Sequence, residues 1–462
     1  MNRTVVINIV GLTSRLISDA TPNIKAFLAS GRLAAVKPVL PAVTCTAQAT
    51  YLTGELPEKH GIVGNGWYFK EECEVKFWRQ SNRLVQGQKL WERFKAQDPS
   101  FTCANLFWWY NMYSSADFSV TPRPNYLADG RKIPDIYSHP ASWRDILQEK
   151  LGQFPLFHFW GPRTTIKSTQ WIADAAILTD REYSPDLTLI YLPHLDYNLQ
   201  RLGTHPDAIG IDLKEIDGVV GQLLEYYQKD DTNIILLSEY GITDVERPVH
   251  LNRVLRKAGM LAIRVERGLE LLDAGASEAF AVADHQVAHI YVRQEDRKDE
   301  VKHLLENTPG VERVLDGETL SASGLAHSRS GDLVAIADTK SWFTYYFWED
   351  DAKAPDYARM VDIHKKPGYD PVELFTDPED SWLTLKVMGK LLGKKLGFRT
   401  VMNVIPLKAE LVKGSHGRIP EAREDYPVFI SNRPELLSEA SCEATDVFQL
   451  LCNHIQTTKN HE

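Results

Sequence analysis

The sequence is short of cysteine pairs, of long hydrophobic runs and of excess positive charge, and each of these absences excludes a class of protein. Its five cysteines are scattered and form no CxxC pair, which argues against a disulfide scaffold and a structural zinc knuckle. No stretch approaches the roughly 20 apolar residues that span a bilayer. The first residues also lack the long apolar segment of a signal peptide. These features predict a cytoplasmic protein without a membrane span.

The charge balance is acidic and narrows the choice of partners. The chain has 62 Asp and Glu against 52 Lys and Arg, which gives a formal net charge of -10. Such a surface argues against a nucleic-acid polymer or an anionic membrane as partner, whereas a local basic pocket for a small phosphorylated substrate stays compatible with it. The length of 462 residues, of which 43% are hydrophobic, predicts a large domain with insertions, or two domains.

Three apolar runs are typical of buried strands: residues 4–10, 187–192 and 233–237. Between the last two, residues 208–228 carry apolar side chains at three- and four-residue steps, which predicts a helix. The alternation predicts an α/β fold with a doubly wound, mostly parallel sheet and helices on both faces. Because ligands of such sheets bind beyond the carboxyl ends of the strands, the segments after these runs are the candidate site.

The pattern changes near residue 250. The segments 279–292 and 331–338 resemble shorter strands, with the helix-like stretch EDRKDEVKHLLENT between them. We therefore predict a smaller α+β insertion, or cap subdomain, over residues 250–345, and a core made of residues 1–249 and 346–462. The Pro- and Gly-containing segment KKPGYDPVELFT, residues 365–376, predicts a surface loop.

A threonine-rich stretch, LPAVTCTAQATYLTGELPEKHGIVGN, occupies residues 40–65. Thr44 stands at the predicted start of a helix, where unpaired backbone N–H groups and the helix dipole bind phosphate and help to stabilise an alkoxide. The same position suits a simple N-cap, so the local sequence leaves both roles open. Thr46, Thr50 and Thr53 are predicted to be helix and turn residues.

The order of polar motifs along the chain narrows this choice. The motifs are Thr44 with Gly54, Pro57, His60, Gly61, Ile62 and Asn65; then Asp196; then Ser238-Glu239-Tyr240-Gly241; and finally Gly414-Ser415-His416-Gly417. This order resembles the alkaline phosphatase superfamily, in its type I phosphodiesterase/nucleotide pyrophosphatase family. The resemblance covers most of the chain and implies an alkaline-phosphatase-like fold. It also implies a hydrolase that uses a Thr nucleophile and two divalent ions, usually zinc.

Residue by residue, the resemblance implies a role for four side chains. Thr44 would be the nucleophile that attacks phosphorus, and water would then hydrolyse the phosphothreonine. Asp196 and His416 would belong to the metal site remote from the nucleophile. Glu239 would belong to the metal site beside it. The two ions would hold the nucleophile and the leaving oxygen.

The sequence departs from the family pattern at five positions. Val10 stands where the family has Asp, Gln200 and Tyr240 stand where it has His, Glu239 replaces Asp, and Ala47 replaces Asn. Zinc sites need about three protein ligands each, so the remaining residues cannot supply two such sites. We therefore predict one divalent ion per chain.

The predicted single-metal site consists of Asp196, Glu239 and His416, with Gln200 as a weaker candidate. This oxygen-rich set favours Mg or Mn over Zn. Tyr240 is predicted either to donate a hydrogen bond to a substrate oxygen or to pack.

Further candidates come from histidines and cations elsewhere in the chain. His364 and His205 are candidates to replace the lost imidazoles. Arginine side chains suit phosphate oxygens, so several cationic residues are candidate substrate contacts. These are Arg123, Arg131, Lys132, His327 and Arg329. His60, His285, His289 and the small side chain of Cys45 are predicted to be structural.

Two classes of function remain open. The first is an active hydrolase of a phosphodiester, pyrophosphate or related phosphorus bond. The second is a catalytically inactive, phosphodiesterase-like binding or scaffold protein, which the five substitutions favour. The enzyme is favoured by the presence of four polar residues, Thr44, Asp196, Glu239 and His416. Burying each of them without partners costs about 1–3 kcal/mol of desolvation, and an inactive protein has no reason to keep them. A mutase or sulfatase fits less well, because a sulfatase needs a Cys or Ser in a different motif.

Overall fold

The centre of the fold is a mixed sheet. The computed structural model describes residues 1–128, 131–229, 231–398 and 400–456. Within these residues the sheet has nine strands, in the spatial order Ser441–Glu443, Arg32–Lys37, Val428–Ser431, Asn233–Leu237, Thr4–Ile9, Leu187–Leu192, Cys103–Leu106, Phe118–Pro122 and Ile136–His139.

The sheet is mostly parallel. Seven of its nine strands run in the same direction, and two, Val428–Ser431 and Ile136–His139, run in the opposite direction. The central strand Thr4–Ile9 is buried along its whole length and pairs in parallel with a strand on each side. A strand covered on both faces is apolar at every position, which explains its sequence. The predicted doubly wound α/β fold is therefore confirmed.

Helices pack on the central sheet and on later parts of the chain. Within the described residues they are Pro22–Ser30, Thr44–Thr53, Pro57–His60, Leu90–Gln97, Trp143–Leu151, Ile166–Tyr183, His194–Leu202, Pro206–Tyr227, Leu251–Lys257, Lys298–Glu306, Gly317–Ala322, Leu383–Lys395 and Asp446–Gln456. The helix predicted over residues 208–228 is confirmed as Pro206–Tyr227, and its apolar face is buried. In this part of the chain no helix is both long and apolar enough to cross a membrane.

A second, antiparallel sheet lies in the predicted insertion. Its four strands are Ala279–Asp284, Val287–Val292, Leu333–Ala337 and Val311–Leu315, in that spatial order. The run 279–292 is a hairpin rather than one strand, because His285 adopts a left-handed conformation with a φ of 62° at its turn.

Shorter two-stranded sheets complete the chain. They pair Gly66–Phe69 with Glu74–Phe77, Asn125–Tyr126 with Lys132–Ile133, Thr243–Asp244 with Gly414–Ser415, Arg247–Val249 with Ser341–Phe343, and Ile263–Glu266 with Leu269–Leu272.

The second sheet has its own hydrophobic core. That core also takes side chains from the later chain, up to Val412. The division into residues 250–345 and a remaining core therefore stays a prediction. Residues 457–462 of the predicted core lie outside the described residues.

The predicted surface loop at residues 365–376 is wrong. Lys366, Asp370 and Glu373 are at most 5% exposed. The Lys366 ammonium lies 2.6 Å from an Asp370 carboxylate oxygen and 2.8 Å from one of Glu373. Mutual pairing lets these charges enter the interior, which a count of Pro, Gly and charged residues does not reveal.

Candidate active site

Thr44 is the first residue of the helix Thr44–Thr53, and its side chain is buried. The N-cap is Val43, which makes no side-chain capping bond, so the Thr44 hydroxyl does not cap the helix. Its Oγ1 lies 3.2 Å from the Tyr240 hydroxyl, and Glu239 is close enough for Thr44 to affect the pKa of its carboxyl group. The hydroxyl therefore sits at the positive end of a helix, among ionisable groups.

The ends of the central strands bring the other predicted residues to Thr44. Asp196 lies in the helix His194–Leu202, which begins shortly after the strand Leu187–Leu192, and Tyr240 follows the strand Asn233–Leu237. The Tyr240 hydroxyl donates to Asp196 Oδ1 at 3.0 Å. The Gln200 amide donates to Asp196 Oδ2 at 2.7 Å.

We call the group made of Thr44, Asp196, Gln200, Glu239, Tyr240 and His416 the Thr44 cluster. All six of its side chains are buried.

Glu239 is held by amide donors. It accepts hydrogen bonds from Asn8 Nδ2 at 2.6 Å and from Gln48 Nε2. Gln48 in turn accepts from the backbone N–H of Trp109 at 2.7 Å. Burial raises the pKa of Glu239 to about 8, and the bonds from Gln48 and Asn8, with the nearby Thr44 hydroxyl, oppose that rise only in part.

Asp196 is a second buried carboxyl group. Burial raises its pKa to about 7, although hydrogen bonds from Tyr240 and Gln200 favour the ionised form. The pocket thus contains two carboxyl groups that exchange protons near neutral pH. Perturbed groups of this kind are concentrated at functional sites.

His416 presents an unbonded ring nitrogen to the cluster. Its Nδ1 lies 2.7 Å from the Ala42 carbonyl oxygen and donates to it. The lone pair therefore sits on Nε2, which is 3.9 Å from Asp196 Oδ1 and has no hydrogen-bond partner among the described residues. The ring stacks on Tyr240 with centroids 3.6 Å apart. Burial lowers the pKa of His416 to about 3, which keeps it neutral.

His285 belongs beside this cluster, although its sequence context predicts a structural core residue. Its ring lies 3.6 Å from the His416 ring and 3.9 Å from the Tyr369 ring, between centroids. The available signal is the short polar segment Asp284-His285-Gln286 between two mostly apolar runs, residues 279–283 and 287–292, which indicates a turn rather than a strand interior. Sequence alone does not show that this turn faces Thr44.

The unbonded atoms fit one cation better than two. Within the described residues, Gln200 Oε1, Glu239 Oε2 and His416 Nε2 are buried without a hydrogen-bond partner. Asp196 and His416 are close enough to share an ion. Their ligand atoms and those of Glu239 do not all lie within 4.8 Å of one another in this part of the chain.

A second ion of the family type does not fit. Val10, at the position of a family carboxylate, is an apolar and fully buried side chain. The Tyr240 hydroxyl bridges Thr44 and Asp196 by hydrogen bonds.

Two residues predicted as substrate contacts, Arg329 and His327, form hydrogen bonds to the chain that follows the Thr44 helix. Arg329 Nη1 donates to the carbonyl oxygens of Gly61 and Leu84, both at 2.7 Å. His327 Nε2 lies 3.3 Å from Gln86 Oε1. A Cβ at Gly61, where φ is 73°, would lie 2.8 Å from Arg329 Nη1. The described contacts thus give Arg329 a structural task.

The remaining candidates lie in two other places. His364 is in edge-on ring contact with Tyr126, at 6.3 Å between centroids, and the Lys132 ammonium lies over the same Tyr126 ring. Arg123 is exposed nearby and its backbone N–H bonds to Asp135. His205 is exposed and caps the helix Pro206–Tyr227. The described contacts do not include any between these side chains and the Thr44 cluster.

The motif after Thr44 supports the loop. His60 bonds to the Thr50 hydroxyl at 3.0 Å and accepts from the Ile62 N–H at 3.1 Å, in agreement with the structural role predicted for it. Asn65 accepts from the Cys45 N–H at 3.0 Å and donates to Asp284 Oδ1 at 3.0 Å. Asn65 thus ties the first turn of the Thr44 helix to the second sheet.

An aromatic wall adjoins the cluster. Tyr369 lies 3.4 Å from the Gln200 amide, and its ring contacts Trp78 and Trp160 at centroid distances of 5.8 and 5.5 Å. Trp109 packs on Trp78 at 4.8 Å. The three tryptophans are only partly buried, so this wall offers flat apolar surface beside the polar pocket.

A second cluster of polar side chains is distinct from the Thr44 cluster. His194, Asp212 and Glu215 are the set of three histidine, cysteine or carboxylate side chains in the described chain whose ligand atoms all lie within 4.8 Å of one another. We call this set the His194 cluster.

Solved structures of other proteins have a similar fold. Phosphonoacetate hydrolase from Sinorhizobium meliloti, in complex with phosphonoformate, has a similar fold, with a TM-score of 0.61 at 14% identity over 98% of this chain and 96% of that one. An inactive variant of murine ectonucleotide pyrophosphatase/phosphodiesterase 5, in complex with AMP, has a TM-score of 0.59 at 15% identity over 99% and 96%. The human form of that protein has a TM-score of 0.59 at 16% identity over 100% and 96%.

A curated relative is more similar in sequence. An uncharacterized pyrophosphatase/phosphodiesterase of Schizosaccharomyces pombe is 24% identical over 250 residues, which are 53% of this chain and 43% of the relative. The match therefore covers less than half of that protein. The family model of the type I phosphodiesterase/nucleotide pyrophosphatases matches residues 4–370, from the central strand to the aromatic wall. This chain belongs to the type I phosphodiesterase/nucleotide pyrophosphatase family.

Proposed function

We propose that the protein hydrolyses a phosphodiester, pyrophosphate or related phosphorus bond of a small phosphorylated substrate, with Thr44 as the nucleophile. The observation that carries this proposal is the buried Thr44 hydroxyl at a helix N-terminus, hydrogen-bonded to Tyr240 and near the carboxyl group of Glu239. The dipole and N–H groups of that helix end favour the negative charge of a phosphoryl group.

The proposed reaction has two displacements. Thr44 Oγ1 forms a bond to phosphorus, while the bond between phosphorus and the leaving oxygen breaks and the leaving oxygen takes the electron pair. The Thr44 proton passes to the nearby carboxylate of Glu239, whose Oε2 has no hydrogen-bond partner among the described residues. The leaving oxygen takes a proton from solvent. Water then attacks the phosphothreonine: its oxygen forms a bond to phosphorus, the bond between phosphorus and Thr44 Oγ1 breaks, and Oγ1 takes the electron pair. Oγ1 regains its proton from Glu239, the attacking water loses one proton to solvent, and the phosphate product leaves.

One divalent ion is proposed to assist. Asp196 and His416 would hold it, with Gln200 as a weaker ligand, and it would neutralise the charge on the phosphorus oxygens. The candidates are Mg, Mn or Zn. Glu239 is separated from this pair, so we assign it to the proton of Thr44 instead of the metal role predicted from the sequence.

The aromatic wall supports a substrate with a flat group. The similar murine protein was solved in complex with AMP, and the half-buried tryptophans beside Tyr369 would stack on a base of this kind. We therefore propose a nucleotide or another aromatic phosphoester as substrate. The five free cysteines support a cytoplasmic location.

The test is hydrolysis of bis(4-nitrophenyl) phosphate with Mg, Mn and Zn, for the wild type, Thr44→Ala and Thr44→Ser. Thr53→Ala, which removes a hydroxyl from the far end of the same helix, is the matched control. We expect metal-dependent turnover that falls by about a thousandfold or more in Thr44→Ala. Mass spectrometry of quenched enzyme should locate a phosphoryl group on Thr44. Turnover that survives Thr44→Ala contradicts the proposal.

An inactive binding protein is the second candidate. It is favoured by the Tyr240 hydroxyl, which occupies the space between the nucleophile and Asp196. In that case no metal gives turnover, but AMP binds to the wild type. The Kd of AMP for Thr44→Ala, measured by calorimetry, should then lie within a factor of about three of the wild-type value. Turnover by the wild type eliminates this candidate.

A further inference from the structure

The His194 cluster lies on the opposite side of the short helix that carries Asp196. His194 is the first residue of the helix His194–Leu202, which follows the central strand Leu187–Leu192. Asp212 and Glu215 stand three residues apart in the helix Pro206–Tyr227, so their side chains share one face. The cluster therefore joins two helices that are adjacent in the chain and packed together.

The three ligand atoms already have the spacing of a coordination sphere. His194 Nε2 lies 3.3 Å from Asp212 Oδ1 and 3.1 Å from Glu215 Oε2. In a tetrahedral zinc site with bonds of 2.0–2.1 Å, neighbouring ligand atoms are separated by about 3.3 Å.

The imidazole of His194 is buried without a hydrogen-bond partner. It is 3% exposed, and neither of its nitrogens makes a hydrogen bond to any described residue. An unpaired buried polar group costs about 1–3 kcal/mol. A cation between Nε2 and the two carboxylates would remove that cost at Nε2.

A supporting layer of hydrogen bonds orients the ligands. Asn198 Nδ2 donates to Asp212 Oδ1 at 2.6 Å, and Arg201 Nε donates to Asn198 Oδ1 at 2.7 Å. Such outer hydrogen bonds are typical of metal sites, where they hold a ligand carboxylate in one orientation. Arg201 also contributes one positive charge, which leaves the two carboxylates partly uncompensated.

The open side of the cluster can admit a solvent ligand. The Glu215 side chain is 42% exposed, and the cluster borders a cavity of about 280 Å³ that is also lined by Thr164, Thr165 and Ile211. Three protein ligands and one open position are a common arrangement for zinc. Imidazole with carboxylates suits zinc better than magnesium.

We propose that His194, Asp212 and Glu215 form a second divalent-metal site, selective for zinc, that is separate from the Thr44 cluster. The ion ties the first turn of the helix His194–Leu202 to the long neighbouring helix. Because the same short helix presents Asp196 and Gln200 to the Thr44 cluster, the ion acts as a brace for that pocket. This proposal is independent of whether the pocket is catalytic.

The test measures zinc binding to the full chain rather than activity. Zinc content after dialysis against buffered free zinc is compared for the wild type, His194→Gln and Glu215→Gln. Glu225→Gln, an exposed carboxylate on the same long helix, is the matched control. Each protein also carries Asp196→Asn in a parallel series, which disables the Thr44 cluster as a zinc site.

We expect one zinc equivalent that persists in Asp196→Asn and in Glu225→Gln. His194→Gln and Glu215→Gln should bind it at least tenfold more weakly and lose the zinc-dependent rise in Tm. X-ray absorption should show one imidazole nitrogen and oxygen ligands. His194→Gln changes a buried residue and could impair folding. Glu215→Gln changes a partly exposed side chain, so its zinc affinity tests the proposal even if His194→Gln does not fold. Unchanged zinc affinity in Glu215→Gln, or equal loss in Glu225→Gln, overturns the proposal.

Discussion

The helix His194–Leu202 serves two polar clusters that differ in how their charges are satisfied. In the Thr44 cluster, both oxygens of Asp196 accept hydrogen bonds, from Tyr240 and from Gln200. In the His194 cluster, the buried imidazole has no hydrogen bond within the described chain and faces two carboxylates. The described residues themselves supply hydrogen-bond partners for the buried carboxyl group of the first cluster, but not for the buried imidazole of the second.

The difference teaches that burial alone does not predict what a polar group does. Asp196 and His194 are both less than 10% exposed and stand two residues apart on one helix. Asp196 lies among hydroxyl and amide donors, and its carboxyl group can accept their hydrogen bonds in either the neutral or the ionised state. His194 lies beside two carboxylates, and the proposed cation at Nε2 would complement their charge.

The largest expected effect concerns Glu239 in the metal-free protein. It tests whether the Thr44 cluster contains a carboxyl group that is protonated at neutral pH. The pKa of Glu239 is raised to about 8 by burial. Between its unfolded pKa and about 8, the folded protein binds the proton that the unfolded chain has released. Stability therefore falls as the pH rises through this window.

Replacing Glu239 by Gln removes this dependence. Chemical denaturation with a chelator present should show that the free energy of unfolding of the wild type, relative to Glu239→Gln, falls by about 4 kcal/mol between pH 5 and pH 9. A divalent ion that binds Glu239 itself would reverse much of the fall. A difference that stays constant with pH would contradict the proposed burial of a protonated carboxyl group.

Tyr240→Phe tests whether the hydroxyl between Thr44 and Asp196 assists or obstructs. It removes one hydrogen bond to each of those residues. Loss of a hydrogen bond that orients the nucleophile should lower kcat by about 10- to 100-fold with a smaller change in KM, measured on the nitrophenyl substrate. Tyr227→Phe, a buried tyrosine at the end of the helix Pro206–Tyr227, is the control. Higher turnover in Tyr240→Phe would show obstruction and favour the binding protein.

The smallest expected effect concerns Asn198, which supports the His194 cluster from outside. Asn198→Ala removes the hydrogen bond that orients Asp212. Loss of such an outer-layer bond should weaken zinc binding by about tenfold, measured by competition with a chelating dye. Asn453→Ala, on the distant helix Asp446–Gln456, should leave the affinity unchanged. Unaltered zinc affinity in Asn198→Ala would contradict the supporting role of Asn198.

Much of the fold was predictable from the sequence, and all six residues of the Thr44 cluster were named there as candidates. Apolar runs that end in polar motifs mark buried parallel strands, and the ends of such strands meet at one edge of a sheet. Thr44, Asp196, Glu239 and His416 are therefore found in one pocket, as the resemblance implied. The same reasoning could not find His285, because its hairpin comes from a different sheet.

The wrong surface-loop prediction has a physical origin. Residues 365–376 contain Pro, Gly and charges and suggest exposure, but Lys366 is buried between Asp370 and Glu373. Arg329 stays a predicted phosphate contact, and its guanidinium also donates to the carbonyl oxygens of Gly61 and Leu84, which the sequence does not reveal. In each case a partner neutralises or occupies the group, and local composition does not contain the partner's position.

The sequence by itself determined the parallel sheet, the long helix, the nucleophile candidate and the family, because these depend on local periodicity and on short motifs. The tertiary structure alone decided which acceptors lack donors, that Glu239 faces Thr44 while His416 faces Asp196, and that His194 meets Asp212 and Glu215. These relations depend on side-chain positions set to within an ångström by packing between elements distant in the chain, and hydrogen bonding and coordination are sensitive on that scale.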